Sequence, residues 1–372
     1  MKRTTFTNLL SIFVISLVVI ACGSSAKSSP PTTGKVIDDY IAGATVCADV
    51  NNNGIADDGP ENCVETDEQG GFRFASRRTE SLVMTGGVDI GTGEAFKGTF
   101  VAPPESKVIN PITTLISSVM SEGNKTAEEA QTIVKNQLGL ENTAVDLTTF
   151  DPLQELQFAE DTATKEVAQQ VLAQQTTVQV ILSVTATTIS ASSDTVQESS
   201  VTVDASNQIA QLMLAQVNTA NAPEINSEES IQTIIEETAQ ETFSENTQEH
   251  TEALAAVVAV QQVVAQQVQE TTQTVIENIE AVQVTNTEND GLAVIKASNA
   301  AILLVTDTKG EDSITNIIEE AVSTGDTTVL ESLDISTEID NSENELIERP
   351  EVVERPDEEV QVRPTGGEGG TP

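Results

Sequence analysis

Between Val36 and Val101 the apolar residues come in short runs broken by glycine: GATVCADV, GGFRF, SLVMTGG and FKGTFV. β-Branched and aromatic residues at this spacing, with turn formers between them, predict a small antiparallel β-sandwich. After Pro103-Pro104 the period changes. Asn110-Pro111 supplies a cap and a first-turn proline for a helix through Met120, and Thr126 with Glu129 forms a capping box for a second, ended at Gly139. Asp151-Pro152 repeats the start signal for a segment through about Ile189. Farther on, Leu254, Val257, Val258, Val264, Val268, Val275, Ile279 and Val282 recur at three- and four-residue intervals. Breaks are expected near Ser192 to Ser206, Thr219 to Ser227, Thr285 to Gly291 and Ser323 to Asp326. No strict heptad is kept, so an α-helical bundle or array is predicted rather than an extended coiled coil. The fold class is therefore α+β and multidomain, with a β module over 36–102, helices over 103–335 and a disordered acidic tail over 336–372.

The first residues follow neither pattern. Lys2 and Arg3 precede an apolar run from Leu9 to Ile20 that is short for a membrane span, which predicts a signal peptide over 1–21. Val19-Ile20-Ala21-Cys22 resembles the lipobox of bacterial lipoproteins, in which the cysteine thiol carries the lipid and the chain is cut just before it. That resemblance implies a membrane anchor on Cys22. Gly23-Ser24 in place of an acidic residue resembles sorting to the outer membrane, facing the periplasm or the cell surface. Residues 22–35, rich in Ser, Pro and Thr, are expected to act as a flexible tether.

Charge excludes one class of partner. The 372 residues carry a formal net charge of −42, and no Lys or Arg occurs between Lys165 and Lys296. Phosphate backbones would be repelled, so nucleic-acid binding is not expected. Such a surface attracts divalent cations instead.

The acidic stretch from Ile41 to Phe74 carries the candidate chemistry. Asp49, Asn51 and Asn53 alternate ahead of Gly54, with Ile55 and Asp57 following, and oxygen donors at every second position before a glycine turn suit a hard cation such as Ca2+. Asn and Asp also brace turns without a metal, and both readings stand at this point. Position twelve of an EF-hand-type loop falls on Pro60, with Glu61 one step late, which makes Asp67 the alternative closing ligand. Cys47 and Cys63 flank the loop. No His or third Cys lies near enough for a zinc shell, so in an exported chain this pair is expected to form a disulfide.

Asp49-Val-Asn51-Asn-Asn53-Gly54, then Asp57 and Thr66-Asp67-Glu68-Gln69-Gly70-Gly71-Phe72, resembles the signatures of bacterial surface B-repeat and carboxypeptidase-regulatory-like modules. The similarity runs on through Thr85-Gly86-Gly87-Val88-Asp89, Ala102-Pro103 and Asn110-Pro111-Ile112-Thr113-Thr114-Leu115. It implies a transthyretin-like β-sandwich with a structural calcium, feeding into a helical region.

Catalytic candidates are few. The only histidine, His250, lies in a polar helical stretch and reads as solvent-facing, and no nucleophile elbow or His-Glu-x-x-His motif occurs. Asp89 and Glu94, near glycines of the β module, are the least easily dismissed carboxylates, and turn roles suffice for both. The expectation is a non-enzymatic envelope lipoprotein with an adhesive, matrix-binding or protein-binding role. The alternative is a carbohydrate-binding or carbohydrate-processing envelope protein, disfavoured by the absence of Trp and the single Tyr, Tyr40.

Overall fold

Nine strands and eleven helices make up a computed structural model that describes residues 30–51, 53–56, 63–217, 219, 224–245, 247–285, 288–307 and 313–347. The protein is mixed α+β. Its strands are β1 (Thr32–Val36), β2 (Ile41–Ala42), β3 (Thr45–Asp49), β4 (Cys63–Glu65), β5 (Gly71–Phe74), β6 (Ser81–Thr85), β7 (Val88–Asp89), β8 (Thr99–Ala102) and β9 (Val108–Ile109). The helices are α1 (Pro111–Gly123), α2 (Ala127–Gln137), α3 (Pro152–Phe158), α4 (Thr162–Ser190), α5 (Glu198–Gln216) and α6 (Glu228–Thr242), then α7 (Gln248–Ala281), α8 (Glu288–Thr306), α9 (Ile314–Thr324), α10 (Thr328–Glu331) and α11 (Ile335–Ile347).

The strands form three small sheets. One is an antiparallel ladder ordered β4-β3-β6-β8, one is ordered β5-β1-β9, and β2 pairs with β7. Alternation places Val46 and Ala48 of β3, Leu82 and Met84 of β6, and Phe100 and Ala102 of β8 on one face. There they meet Phe72, Phe74, Phe96 and Ile109 in a core of their own. Two departures from the expected layout appear. β9 runs parallel to β1, Lys35 facing Val108 and Val36 facing Ile109. And β1 occupies Thr32–Val36, so the end of the expected tether is a strand; with one apolar residue in TTGKV, its pairing to β5 rests on backbone bonds that no hydropathy pattern reveals.

Helix α1 covers the open edge of β8. Thr114 Oγ1 accepts from Val101 N at 3.0 Å, and Thr113 Oγ1 donates to Val101 O at 3.2 Å, which satisfies edge groups that would otherwise invite pairing. Asn110 caps the helix through Thr113 N, with Pro111 at the first position, as its sequence predicts. The Thr126/Glu129 capping box also forms.

Helix α4 runs through the middle of the helical part and packs against α3, α5, α7 and α8. Its 29 residues are buried on nearly every side, including Thr176, Thr177 and Thr188. Those hydroxyls donate to the carbonyls of Leu172, Ala173 and Val184 four residues back, so the helix satisfies these three buried groups itself. Gln169 reaches across to close α7, donating to Ile279 O at 2.5 Å and Val282 O at 2.9 Å. The predicted segment from Asp151 to Ile189 is broken once, at Ala159 to Asp161, because Asp161 caps a new helix through Thr164 N. A second unforeseen break lies between α6 and α7, where Thr247 caps through His250 N.

Residues 336–347, expected to belong to a disordered tail, lie in α11. Ile335, Ile339 and Leu346 are buried and α11 packs on α8, apolar spacing that the surrounding acids disguise. Residues 348–372 lie outside the described residues, as do 1–29 with Cys22. Among the described residues no helix is long and apolar enough to cross a membrane.

Replacing Asn110 with Ala removes the α1 cap and leaves buried Gln175 Oε1 without its partner, Asn110 Nδ2 at 3.1 Å. A loss of about 2 to 3 kcal/mol in unfolding free energy is expected from urea denaturation.

Candidate functional site

Two groups of acidic side chains stand out, at opposite ends of β3. At its C-terminal end Asp49 is 4% exposed and turns its carboxylate back over the following loop. Oδ1 accepts from Asn53 N at 3.1 Å and Oδ2 from Gly54 N at 2.9 Å. Asn51 Oδ1 also accepts from Asn53 N, and Asn53 Oδ1 accepts from Ile55 N at 2.9 Å. The chain can wind this tightly because Gly54 adopts φ +71°, a left-handed value that residues with a Cβ resist. The loop leans on the helices: a Cβ on Gly54 would come within 3.3 Å of Val203 Cγ1 on α5. Asp49 and Asn53 line a polar cleft there with Ser117 and Ser121 of α1 and Asn207 of α5.

The disulfide between Cys47 and Cys63 closes the loop's base across directly paired positions of β3 and β4, with Cα atoms 4.0 Å apart. Closing a loop of this size removes unfolded-chain entropy that corresponds to about 3 kcal/mol. Asp57 and Glu61 lie outside the described residues.

Asp67 does not join Asp49. Thr45 faces Glu65 and Cys47 faces Cys63, so Asp67 lies past the opposite end of the ladder, with about 13 Å of strand between. Its Oδ1 accepts from Gln69 N at 2.9 Å and Gly71 N at 2.7 Å, bracing the β4–β5 turn. The expected ligand set of Asp49, Asn51, Asn53, Ile55, Asp57 and Asp67 is thus split. Among the described residues no three His, Cys, Asp or Glu side chains gather closely enough to hold a metal ion. In the loop itself the donors are one carboxylate, two Asn amide oxygens and the Ile55 carbonyl, all oxygen and of the kind a hard cation takes.

The second group lies where the strands meet the helices. Asp38 and Asp39 fill the link between β1 and β2, and Asp89 ends β7; the three are 2%, 7% and 3% exposed. Asp39 N donates to Asp89 Oδ2 at 2.9 Å, and Asp89 Oδ1 accepts from Thr92 N at 2.7 Å and Thr92 Oγ1 at 2.9 Å. Asp39 Oδ1 accepts from Tyr40 N, while Oδ2 accepts from Asn299 Nδ2 of α8 at 2.8 Å. From α4, Gln175 Nε2 donates to Ile37 O and Asp38 O at 3.3 and 3.2 Å. Asp38 Oδ1 is buried without a hydrogen-bond partner. Beside this group Tyr40 Oη donates to Asp151 Oδ2 at 2.9 Å, Asp151 being the cap of α3, and Lys35 Nζ stands 4.0 Å over the Tyr40 ring.

Burial dominates the electrostatics. It pushes Asp39 up to about 7, with the Asp89 charge adding to the rise and bonds from Asn299 and Tyr40 opposing it. Asp38 is driven well above the carboxylate range by burial, then by Asp89 and Asp39. Asp89 is raised by burial against bonds from Thr92 and Asp39. Asp151 is raised by burial too, with Gln154 N, Tyr40 and Lys35 pulling down. Lys35 is lowered by its own burial, although Asp151, Asp67 and Asp39 hold it up. The carboxyl groups of Asp38, Asp39 and Asp89 are closed off from bulk solvent.

Of this second group, sequence reasoning singled out only Asp89 and Glu94. The available signal was the pair Asp38-Asp39 set between Val36-Ile37 and Tyr40-Ile41, two acids inside an apolar run. His250, expected to face solvent, is half-buried, with its ring 5.5 Å from Phe243. Comparison of the chain with protein-family models, with curated proteins and with solved structures gave no match.

Gly91 marks how tightly strands and helices close. A Cβ there would stand 2.2 Å from Asn299 Nδ2 and 2.3 Å from Asp39 Oδ2, whereas one on Gly86 meets nothing within 4 Å. Gly91→Ala is therefore expected to cost about 3 kcal/mol and Gly86→Ala, strained only by its backbone, about 1 kcal/mol, both read by chemical denaturation.

Proposed function

We propose that the chain is a non-enzymatic lipoprotein of the bacterial envelope, held in the outer membrane through Cys22, whose β module is stiffened by calcium and whose helical part offers an acidic surface to a protein or matrix partner. In this reading the strands form a sandwich of the B-repeat or carboxypeptidase-regulatory-like kind and the helices a bundle following it. The observation that carries the proposal is the Asp49 loop. Its carboxylate is turned inward over a Gly54 turn with Asn51, Asn53 and the Ile55 carbonyl close in sequence, a donor set of oxygens alone. Asp49, Asn51, Asn53 and Ile55 would hold the ion, which supplies a fixed positive charge that cross-links the loop and no chemistry. The Cys47–Cys63 disulfide supports the expectation of an oxidising compartment. The carbohydrate alternative gains nothing from the geometry, because Tyr40 is buried and cannot stack on a sugar.

Two measurements test this. With dissociation constants of about 10⁻⁴ to 10⁻³ M for extracellular calcium modules, about 10 mM Ca2+ should stabilise the soluble form by about 1.4 to 2.7 kcal/mol. Calorimetry should show the melting temperature rising with Ca2+ in the native chain and not in Asp49→Ala; equal response in both removes the calcium brace. Cys22→Ser should move the protein from the membrane fraction to the soluble one, and retention in the membrane pellet counts against the anchor.

A further inference from the structure

The joint between strands and helices is built from acids that have no cation to answer them. No Lys or Arg forms an ion pair with Asp38, Asp39 or Asp89 among the described residues; Arg77, Lys97 and Lys296 pair instead with Glu105, Glu198 and Glu343. Lys35, the nearest cation, spends its amine on Gln69 O and the Tyr40 ring. Three ionised carboxylates sealed together would repel one another strongly at low local dielectric. The hydrogen bonds account for four oxygens: both of Asp89 and both of Asp39 accept from N–H or O–H donors. Asp38 Oδ1, fully enclosed beside them, has no donor. A buried carboxylate oxygen without a donor belongs to an acid, not to an anion.

We propose that Asp38, Asp39 and Asp89 form a proton-held latch, closed while protons occupy the cluster and loosened as it ionises, so that pH controls how firmly the β module is seated on α4 and α8. The seat on α4 and α8 depends on this cluster because hydrogen bonds from those two helices run to it, whereas α1 and α5 hold the module separately at β8. Gln175 of α4 grips the backbone at Ile37 and Asp38, and Asn299 of α8 grips Asp39 itself. The charged and titratable groups that face it are Lys35 from β1, Tyr40 from the β1–β2 link, Glu94 buried in the same turn as Asp89, and Asp151 from the start of α3. The helices α4 and α8 present uncharged amides. Only Lys35 is positive, and it favours ionisation too weakly to offset burial of three acids.

The sign follows from linkage. Folded-state values raised above the ordinary carboxylate range mean that the folded chain binds more protons than the unfolded one. The stabilisation is complete below about pH 4 and is lost as pH rises toward about 7, the value to which Asp39 is pushed.

The test uses the mature full-length chain in excess EDTA, so that the loop contributes no cation, from about pH 5.5 to about pH 8.5, a range above the ordinary carboxylate titration. The unfolding equilibrium constant of the native chain is expected to rise with pH, by up to about tenfold per pH unit for each proton held. Asp38→Asn and Asp89→Asn, which keep the shape and lack the charge, should flatten that slope. Asp204, raised to about 6 by burial and by Glu241, titrates in the same window but is common to all three proteins and cancels in the difference. A direct readout needs no variant: hydrogen-exchange protection at the amides of Asp39, Tyr40 and Thr92 should fall with pH while that of α7 holds. A native chain with no slope, variants that keep the full slope, or protection at those three amides that does not change with pH overturns the proposal.

Discussion

One amide side chain holds the two halves of the molecule in register. Gln175, on a helix buried along most of its length, accepts from Asn110 Nδ2 through Oε1 and donates through Nε2 to the carbonyls of Ile37 and Asp38. Asn110 in turn caps α1, and α1 seals the edge of β8 through Thr113 and Thr114. A buried amide of this kind is costly unless every partner is present. The strands, the first helix and the central helix are therefore committed to one mutual arrangement, and displacing any of them strands several polar groups at once. That is how two separate apolar cores, one among the strands and one among the helices, come to sit in a fixed relation.

Local signals made most of the elements legible. The four apolar runs named in the sequence all became strands, β3, β5, β6 and β8, because each is a short β-branched or aromatic run bounded by turn residues. Asn110-Pro111, Thr126/Glu129 and Asp151-Pro152 start helices where their chemistry says they should, since a cap acts within a single turn. The failures are those of elements set by distant partners. β1 has almost no apolar content and exists because Phe72, Phe74, Val108 and Ile109 offer it edges. The break before Asp161 and the one before Thr247 rest on single capping side chains within polar stretches, where many residues could have served.

The same distinction governs the functional groups. The Asp49 loop is contiguous, and its alternation of oxygens ahead of a glycine could be read directly, whereas the role given to Asp67 required knowing the β3–β4 register, which sends it to the wrong end of the ladder. The joint was nearly invisible, because Asp38-Asp39, Asp89, Gln175 and Asn299 come from four places in the chain and none carries a motif. Asp89 could be noticed only for its turn. It fills that role through Thr92, and the turn is what presents its second oxygen to Asp39.

The two acid groups show how one residue type is placed in contrasting surroundings within a single small module. Asp49 faces backbone N–H groups and a polar cleft, and the loop is tied down independently by the disulfide at its base. Asp38 faces other acids and no donor, surroundings that favour the neutral form. β3 and its neighbours separate the two groups. With a formal charge of −42, the chain as a whole loses compactness to self-repulsion as its carboxylates ionise, and an uncharged joint at the point where strands meet helices limits that repulsion where it would be least screened. An apolar joint could do the same without any polar group. It would lack the directional bonds from Gln175 and Asn299 that fix orientation, which gives a physical reason for buried acids to occupy a place where Leu or Val would cost less to bury.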